Sequence, residues 1–359
     1  RRLPRNPRAS GMSTLRQADD PLSPVLGANR SALAGDGRAP ERAVTAQKHS
    51  PPMIELILEW GIPKSLSHAL VQVRATREIG ATWCKFQVFK PERLASEQAR
   101  RYWDESLGGG KYQLDTFTEG LERDGWRRLT KACDDAGVRF LATPFDMEAV
   151  KLLDRLGVQA FKVASGDITH RPLIEAVART GKRVFLSTGA ASPDEIDRAT
   201  GWLNGSSVTP MACDLVYPCS DQNANLKESI TRLHGFDDIG YSDHTTGVVT
   251  GAVAVTLGAT VLEKHVTLEP GGDSPDDKMA LTVKRARLYR DLAHRAFILC
   301  SAVDGDPQQA ARVGARRSAF ASRPLPAGHR LGNGDVAWLR PCPPGAIEPS
   351  VSLEGHVLR

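Results

Sequence analysis

The sequence predicts an α/β protein, a (β/α)8 barrel followed by a small β-rich domain. Three observations carry this. Eight short apolar runs lie between residues 54 and 267. Amphipathic helical segments separate them, at a repeat of roughly 20–30 residues. After a last helical stretch, TVKRARLYRDLAHRAFILCSAV, the chain turns rich in proline and glycine. In order, the runs are IELILEW (54–60), TWCKFQV (82–88), VRFLATP (138–144), AFKVAS (160–165), RVFLST (183–188), PMACDLVYP (210–218), DIGYSD (238–243) and TVLEKHVT (260–267). Near-continuous hydrophobicity is what strands covered on both faces require. Between them, LSHALVQVRATREIG, DGWRRLTKACDDAG and ASPDEIDRATGWLNG read as crossover helices. Eight such units make a barrel. A doubly wound sheet is the competitor, but no GxGxxG follows the first run.

The barrel is expected over residues 53–302. A second domain is expected over 315–359, with strands at SAFAS and VAWLR and the chain stopping within it. Residues 1–50 contain no aromatic residue and carry nine Lys/Arg against four Asp/Glu. Such a segment buries too little apolar surface to offset its ordering entropy and reads as a disordered basic leader, or as translation upstream of Met12 or Met53. The whole chain has a net charge of +5, so the remainder is neutral and offers no basic excess for nucleic acid. No apolar run is long enough to span a membrane. Six cysteines without a CxxC pair are expected to be reduced thiols in a cytoplasmic protein.

In a barrel the functional side chains gather at the C-terminal strand ends. Lys85 and Gln87 lie there, as do Thr143 and Asp146, Lys162, Ser165 and Asp167, Ser187, Thr188 and Gly189, Tyr217 and Pro218, Ser242, Asp243 and His244, and Glu263, Lys264 and His265. Lysines inside apolar strands are rarely left unpaired. Either Lys85 and Lys162 have structural carboxylate partners, or with Thr143, Ser165, Ser187 and Ser242 they form an anion pocket for a phosphate or carboxylate. A Schiff-base lysine is a further alternative. His244 and His265 end neighbouring strands, close enough to share one divalent ion such as Mn, Fe, Co or Zn. His68 and His294 read as helix-surface residues. Asp276, in the acidic loop LEPGGDSPDDKMALT, is a candidate general base over the barrel mouth.

The strings KFQVFKPERLAS, FLATPFD, FKVASGDI, FLSTGAAS, GYSDHTTG, GATVLEKHVTLE and SPDDK, in this order, resemble the N-acetylneuraminate (sialic acid) synthase family from about residue 80 to 283. RRSAFASRPLPAGHRLGNGDVAWLRP is similar to the start of that family's antifreeze-protein-like domain. The resemblance implies a domain-swapped homodimer. It also implies condensation of phosphoenolpyruvate with an N-acylated aminohexose such as N-acetylmannosamine, with release of phosphate. By motif, Lys85, Lys162, Thr143, Ser165, Ser187 and Ser242 hold phosphoenolpyruvate. His244 and His265 hold a divalent metal, Mn2+ with Mg2+ or Co2+ as alternatives. Gln87, Asp167 and Tyr217 face the sugar, and Arg340 reaches its N-acyl group from a second subunit.

The chain departs from the family pattern at the first strand, where ELILEWGIPK replaces AEIGxNHxG. Ungapped counting from Lys85 puts Ile57 at the catalytic glutamate's place. Glu59, two residues on and so on the same strand face, is the expected substitute. Leu215, Asp277 and the shorter acid Asp167 are further departures. They leave a degenerate sugar-binding paralogue, or a related pyruvate- or phosphoenolpyruvate-dependent aldol enzyme, as alternatives.

Overall fold

A computed structural model describes residues 54–301 and 305–358. The basic leader lies outside the described residues. Eight parallel strands form one sheet: β1 (Glu55–Glu59), β2 (Trp83–Val88), β3 (Arg139–Pro144), β4 (Ala160–Val163), β5 (Arg183–Ser187), β6 (Val208–Cys213), β7 (Gly240–Asp243) and β8 (Val261–Thr267). Their ladder runs β3-β2-β1-β8-β7-β6-β5-β4, and β3 packs beside β4 to round off the barrel. Each strand is followed by a crossover helix: α1 (Leu66–Ile79), α2 (Arg123–Ala136), α3 (Met147–Arg155), α4 (Arg171–Ala178), α5 (Pro193–Trp202), α6 (Leu226–Thr231), α7 (Thr250–Thr256) and α8 (Val283–Cys300). Strand six is shorter than expected, because Asp214–Pro218 leave the sheet to form the loop above it.

Local chemistry sets the helix ends. Ser65 caps α1 by accepting from the N–H of His68 at 3.1 Å. Ser192 and Glu195 form a reciprocal capping box on α5. Asp146 caps α3, accepting from the N–H groups of Glu148 and Ala149 at 2.8 Å each. Its polarity at a strand end is thereby accounted for structurally.

Side chains alternate between the two faces of the barrel wall. Inward-pointing Ile57, Trp83, Leu141, Ala160, Phe185, Met211 and Val261 form an apolar plug. Trp83 meets Phe185 edge to face at 5.4 Å. Outward-pointing residues such as Leu58, Phe86, Phe161 and Leu262 pack under the helices. One charged pair belongs to that outer layer. Lys264 Nζ lies 2.9 Å from Asp243 Oδ2, and both side chains are almost wholly buried. The ammonium also donates to the Thr245 carbonyl at 2.5 Å, and Thr250 donates to the same aspartate at 2.5 Å.

The described part of the second unit covers residues 305–358. Strand Ser318–Ala321 pairs antiparallel with Val336–Leu339, close to the expected SAFAS and VAWLR. Its small core is Ala319, Leu331 and Leu353. Asp335 organises a turn there, accepting from Arg323, His329 and the Gly332 N–H. All six cysteines are free.

Removing one partner of a buried ion pair strands the other charge. Asp243→Ala is expected to lower unfolding stability by about 3–5 kcal/mol in urea denaturation. The double variant with Lys264→Met is expected to recover part of that loss.

Candidate active site

The polar layer starts one step above the plug. Pairing register places Glu59 beside Lys85 on one side and His265 on the other. Ile57 lies one step lower, in the plug. Glu59, not Ile57, is therefore the acid at the strand end, and it is 1% exposed. It accepts from the Lys85 ammonium, from the N–H of Gly61 at 2.8 Å and from Gln87 Nε2 at 3.2 Å. Gly61 has a left-handed φ of 70°, and a Cβ there would stand 3.1 Å from the Asp276 carboxylate. Glycine lets the chain turn beneath that acid.

Glu263, singled out at the end of strand eight but not as a partner of the lysines, is central. Its Oε1 lies 3.2 Å from Lys85 Nζ and its Oε2 lies 3.7 Å from Lys162 Nζ. Burial works against its charge, but the ammonium groups of Lys162 and Lys85 outweigh burial and hold the carboxyl at about 2. Burial draws the Lys85 ammonium down to about 8 against the pull of Glu263. Both members are charged at neutral pH. Lys162 also donates to Ser187 Oγ at 2.5 Å and to the Val163 carbonyl at 3.0 Å. The two readings of the lysines thus coexist: each has a carboxylate partner, and both face the hydroxyls. Ser165 accepts from the Gly189 N–H at 3.0 Å. A Cβ on Gly189 would come within 2.8 Å of that hydroxyl. Thr143 and Ser242 are buried on the same wall.

The imidazoles of His244 and His265 face each other with ring centroids 5.6 Å apart. His244 Nδ1 is 2.7 Å from the Asp214 carbonyl, and the ring stacks on Tyr217 at 4.1 Å. Burial disfavours its charge, but the Cys213 thiol and the Asp214 carbonyl outweigh burial and raise its pKa. Burial, then His244 and Lys85, push His265 well below the usual histidine range. Its buried Nδ1 has no hydrogen-bond partner and lies 3.7 Å from Asp276 Oδ2. A neutral ring with an unpartnered nitrogen is the ligand form of histidine. Two imidazoles beside carboxylates suit a divalent ion of the Mn, Co or Zn type. Among the described residues no complete three-residue His/Cys/Asp/Glu shell forms, so the remaining positions on such an ion would fall to water or substrate.

These groups open into one cavity of about 750 Å³. Glu59, Lys85, Gln87, Thr143, Lys162, Ser165, Asp167, Ser187, Tyr217, Ser242, His244, His265 and Asp276 line it, whereas Asp146, Thr188, Gly189, Asp243 and Lys264, also singled out at strand ends, do not. Arg340 lies exposed in the second unit, just after its last strand. His68, expected on a helix surface, lines the cavity as well, because α1 turns this face toward the barrel mouth. The segment between β2 and α2 supplies cover that the sequence did not announce. Its Trp103 and Leu107 pack with Met279 and with partly buried Phe117 and Tyr217. The scattered aromatics of YWDESLGGGKYQLDTF were the available signal.

The family model described as NeuB family matches residues 72–297. The chain is 35% identical over 234 residues to the N,N'-diacetyllegionaminic acid synthase of Campylobacter jejuni, covering 62% of this chain and 69% of that protein. It is 31% identical over 220 residues to human N-acetylneuraminate-9-phosphate synthase, covering 58% and 60%. The crystal structure of an N-acetylneuraminic acid synthetase from Leptospira borgpetersenii, solved with citrate, superposes with a TM-score of 0.63 at 26% identity, covering 72% of this chain and 88% of that one. With the barrel, the paired lysines and the facing imidazoles, this match places the chain in the NeuB family.

Proposed function

We propose that the protein condenses phosphoenolpyruvate with an N-acylated aminohexose to give a nonulosonic acid and phosphate. One observation carries the reading: two buried lysines and four buried hydroxyls stand beside two facing imidazoles at one barrel mouth. The relatives named as legionaminic acid and N-acetylneuraminate phosphate synthases support it.

Lys85 and Lys162, with Thr143, Ser165, Ser187 and Ser242, hold the phosphate and carboxylate of phosphoenolpyruvate. The barrel fixes these donors in advance, so they cost little reorganisation during reaction. His244 and His265 would hold a divalent metal, proposed as Mn2+, which when bound polarises the sugar's aldehyde oxygen. Gln87, Asp167 and Tyr217 orient the sugar over the methylene carbon of phosphoenolpyruvate. That carbon attacks the aldehyde carbon, and the aldehyde oxygen takes up a proton. The cation left at the enol carbon adds water. Asp276 is placed to receive the proton that the water loses, and Glu59 keeps Lys85 and Gln87 aimed inward. Cleavage of the carbon–oxygen bond to phosphate then leaves the ketone.

We further propose that the second unit is an antifreeze-like domain and that the chain forms a homodimer in the cytoplasm. Arg340 of one copy would reach the sugar site of the other. No helix among the described residues is long and apolar enough to cross a membrane.

Asp167 gives a pH signature. Burial raises its carboxyl to about 6, against the opposing pull of His170 and Lys162. The folded protein therefore holds this proton more tightly than the unfolded chain. Stability should fall as pH rises from about 4 to about 6, by at most about 1.4 kcal/mol per pH unit. Asp167→Asn should flatten that slope in denaturation at pH 4.5 and 7.

Phosphate release from phosphoenolpyruvate, assayed with Mn2+ and a panel of N-acyl hexosamines, tests the reaction itself. Lys162→Ala is expected to lower kcat/KM by about 10²–10³-fold. Chelation, or His244→Ala with His265→Ala, is expected to abolish release. Release that survives the double histidine variant refutes the metal role. A pyruvate adduct trapped by borohydride on either lysine refutes the reaction in favour of a Schiff-base aldolase.

A further inference from the structure

The two imidazoles of the site are held by unequal means. His265 lies inside β8, where the ladder with β1 sets it level with Glu59. His244 stands one residue beyond β7, whose last rung with β8 pairs Asp243 with Lys264. Past that rung the chain leaves the β7–β8 ladder. On the β6 side the Cys219 N–H donates to the His244 carbonyl at 3.0 Å. On the β8 side a buried polar network takes over. Asp243 Oδ1 accepts from the Thr245 N–H at 2.9 Å and from the Thr245 hydroxyl at 2.8 Å. An aspartate that bonds the backbone two residues on closes a tight turn, here with His244 at its centre. The Thr245 carbonyl in turn accepts from Lys264 Nζ at 2.5 Å, and that ammonium lies 2.9 Å from Asp243 Oδ2.

The helix layer seals this network. Thr250, at the start of α7, donates to Asp243 Oδ2 at 2.5 Å. The Tyr289 ring of α8 lies over the Lys264 ammonium, which is 5.4 Å from the ring centroid. A Cβ on Gly251 would come within 2.3 Å of that ring, so α7 passes this close to Tyr289 because glycine stands there. Asp243, Thr245, Lys264 and Tyr289 are each at most 2% exposed, and neither they nor Thr250 line the cavity. Apolar side chains of similar volume would pack the helices at least as well as a buried ion pair. What they lack is a directional bond to the backbone on either side of His244. The connection between the two imidazoles is also short: from His244 to the Thr245 carbonyl, across to the Lys264 ammonium, and along its side chain to the neighbour of His265.

We propose that Asp243, Lys264 and Thr250 are positioning residues for the metal ligands: the clamp they build around Thr245 fixes where His244 stands against His265. The proposal rests on the reading of the two imidazoles as metal ligands. It adds the groups, remote from any substrate, that set their geometry. Ligand imidazoles are commonly oriented by bonds from groups behind them. Here the orienting bonds reach His244 through the backbone of its two neighbours, while His265 takes its place from the strand ladder.

Metal affinity measured without substrate tests it. Mn2+ is titrated into the full-length protein, with the free ion counted from its electron paramagnetic resonance signal. Inorganic phosphate is titrated separately by calorimetry without metal. Thr250→Val removes the hydroxyl, whereas Thr250→Ser keeps it. The valine variant is expected to weaken Mn2+ binding about tenfold, and the serine variant to bind Mn2+ as the unaltered protein does. Asp243→Ala with Lys264→Met removes the clamp without stranding a charge, and is expected to weaken Mn2+ binding by about 10–100-fold. Phosphate affinity, set by Lys85 and Lys162, is expected to stay unchanged in all three. A folded double variant that keeps the Mn2+ affinity of the unaltered protein overturns the proposal. So do valine and serine variants that bind Mn2+ alike, or a parallel loss of Mn2+ and phosphate binding, which marks a general loosening of the barrel. Where the double variant does not fold, the two Thr250 variants decide. No Mn2+ binding by the unaltered protein refutes the metal role and the clamp together. Clamp-dependent Mn2+ binding, without phosphate release from phosphoenolpyruvate on any N-acyl hexosamine, refutes the synthase reading alone.

Discussion

The barrel mouth is organised by the need to bury two ammonium groups without leaving them unpaired. Taking each ion out of water costs several kcal/mol even after relaxation. Glu263 offsets this for both lysines at once, with one oxygen toward each. Glu59 takes a second share of Lys85. This arrangement requires β1, β2, β4 and β8 to end at one height. The register supplies that height, with Glu59 level with both Lys85 and His265. A floor with two cations and two anions is close to neutral before any ligand arrives. Glu263 Oε2 still lacks a hydrogen-bond partner. The hydroxyls of Ser187 and Ser165 lie on the same wall.

Outside the wall, the same two strands carry the reciprocal solution. Asp243 and Lys264 flank His244 and Glu263/His265 in sequence but point into the helix layer, where they pair with each other. Alternation along a strand sends neighbours to opposite faces. One short stretch, EKH, thus supplies a site carboxylate, a structural ammonium and a site imidazole in turn. The buried pair ties β7 to β8 at the level where the imidazoles face each other. Its position makes it the support for their 5.6 Å separation.

Much of this was legible in the sequence, for physical reasons that differ by residue. The strands could be read because burial on both faces leaves uninterrupted apolar runs. Lys85 and Lys162 stood out because a charge inside such a run needs an explanation. Glu263 did not stand out. It lies between Leu262 and Lys264, and its meaning depends on which lysines the closed barrel brings to it. Glu59 could be placed only to within a two-residue shift; the ladder with β2 and β8 fixed it. Asp146 had the right position for chemistry but serves as a helix cap, a distinction made by two backbone N–H groups. His68 had no local signal, since its role depends on the face that α1 presents to the mouth. The cover between β2 and α2 has no strong period and so left no pattern to read.

The departures from the family pattern sort by depth. At the floor, the lysines, hydroxyls and imidazoles keep their types, and the displaced first-strand acid is restored by Glu59. Away from these groups, Leu215, Asp277 and the shorter acid Asp167 differ, and the first-strand Asn-His pair is missing. The reacting atoms of phosphoenolpyruvate and of an aldehyde are fixed, so the groups that handle them tolerate little change. The far end of the acceptor varies in its substituents, and discrimination there is a difference between hydrogen-bonding partners. Variation confined to the rim is what a synthase with retained chemistry and an altered acceptor requires. A degenerate copy has no cause to restore the Glu59 carboxylate while losing its neighbours, nor to keep Glu263 between two lysines that would otherwise be cheaper to replace with apolar side chains.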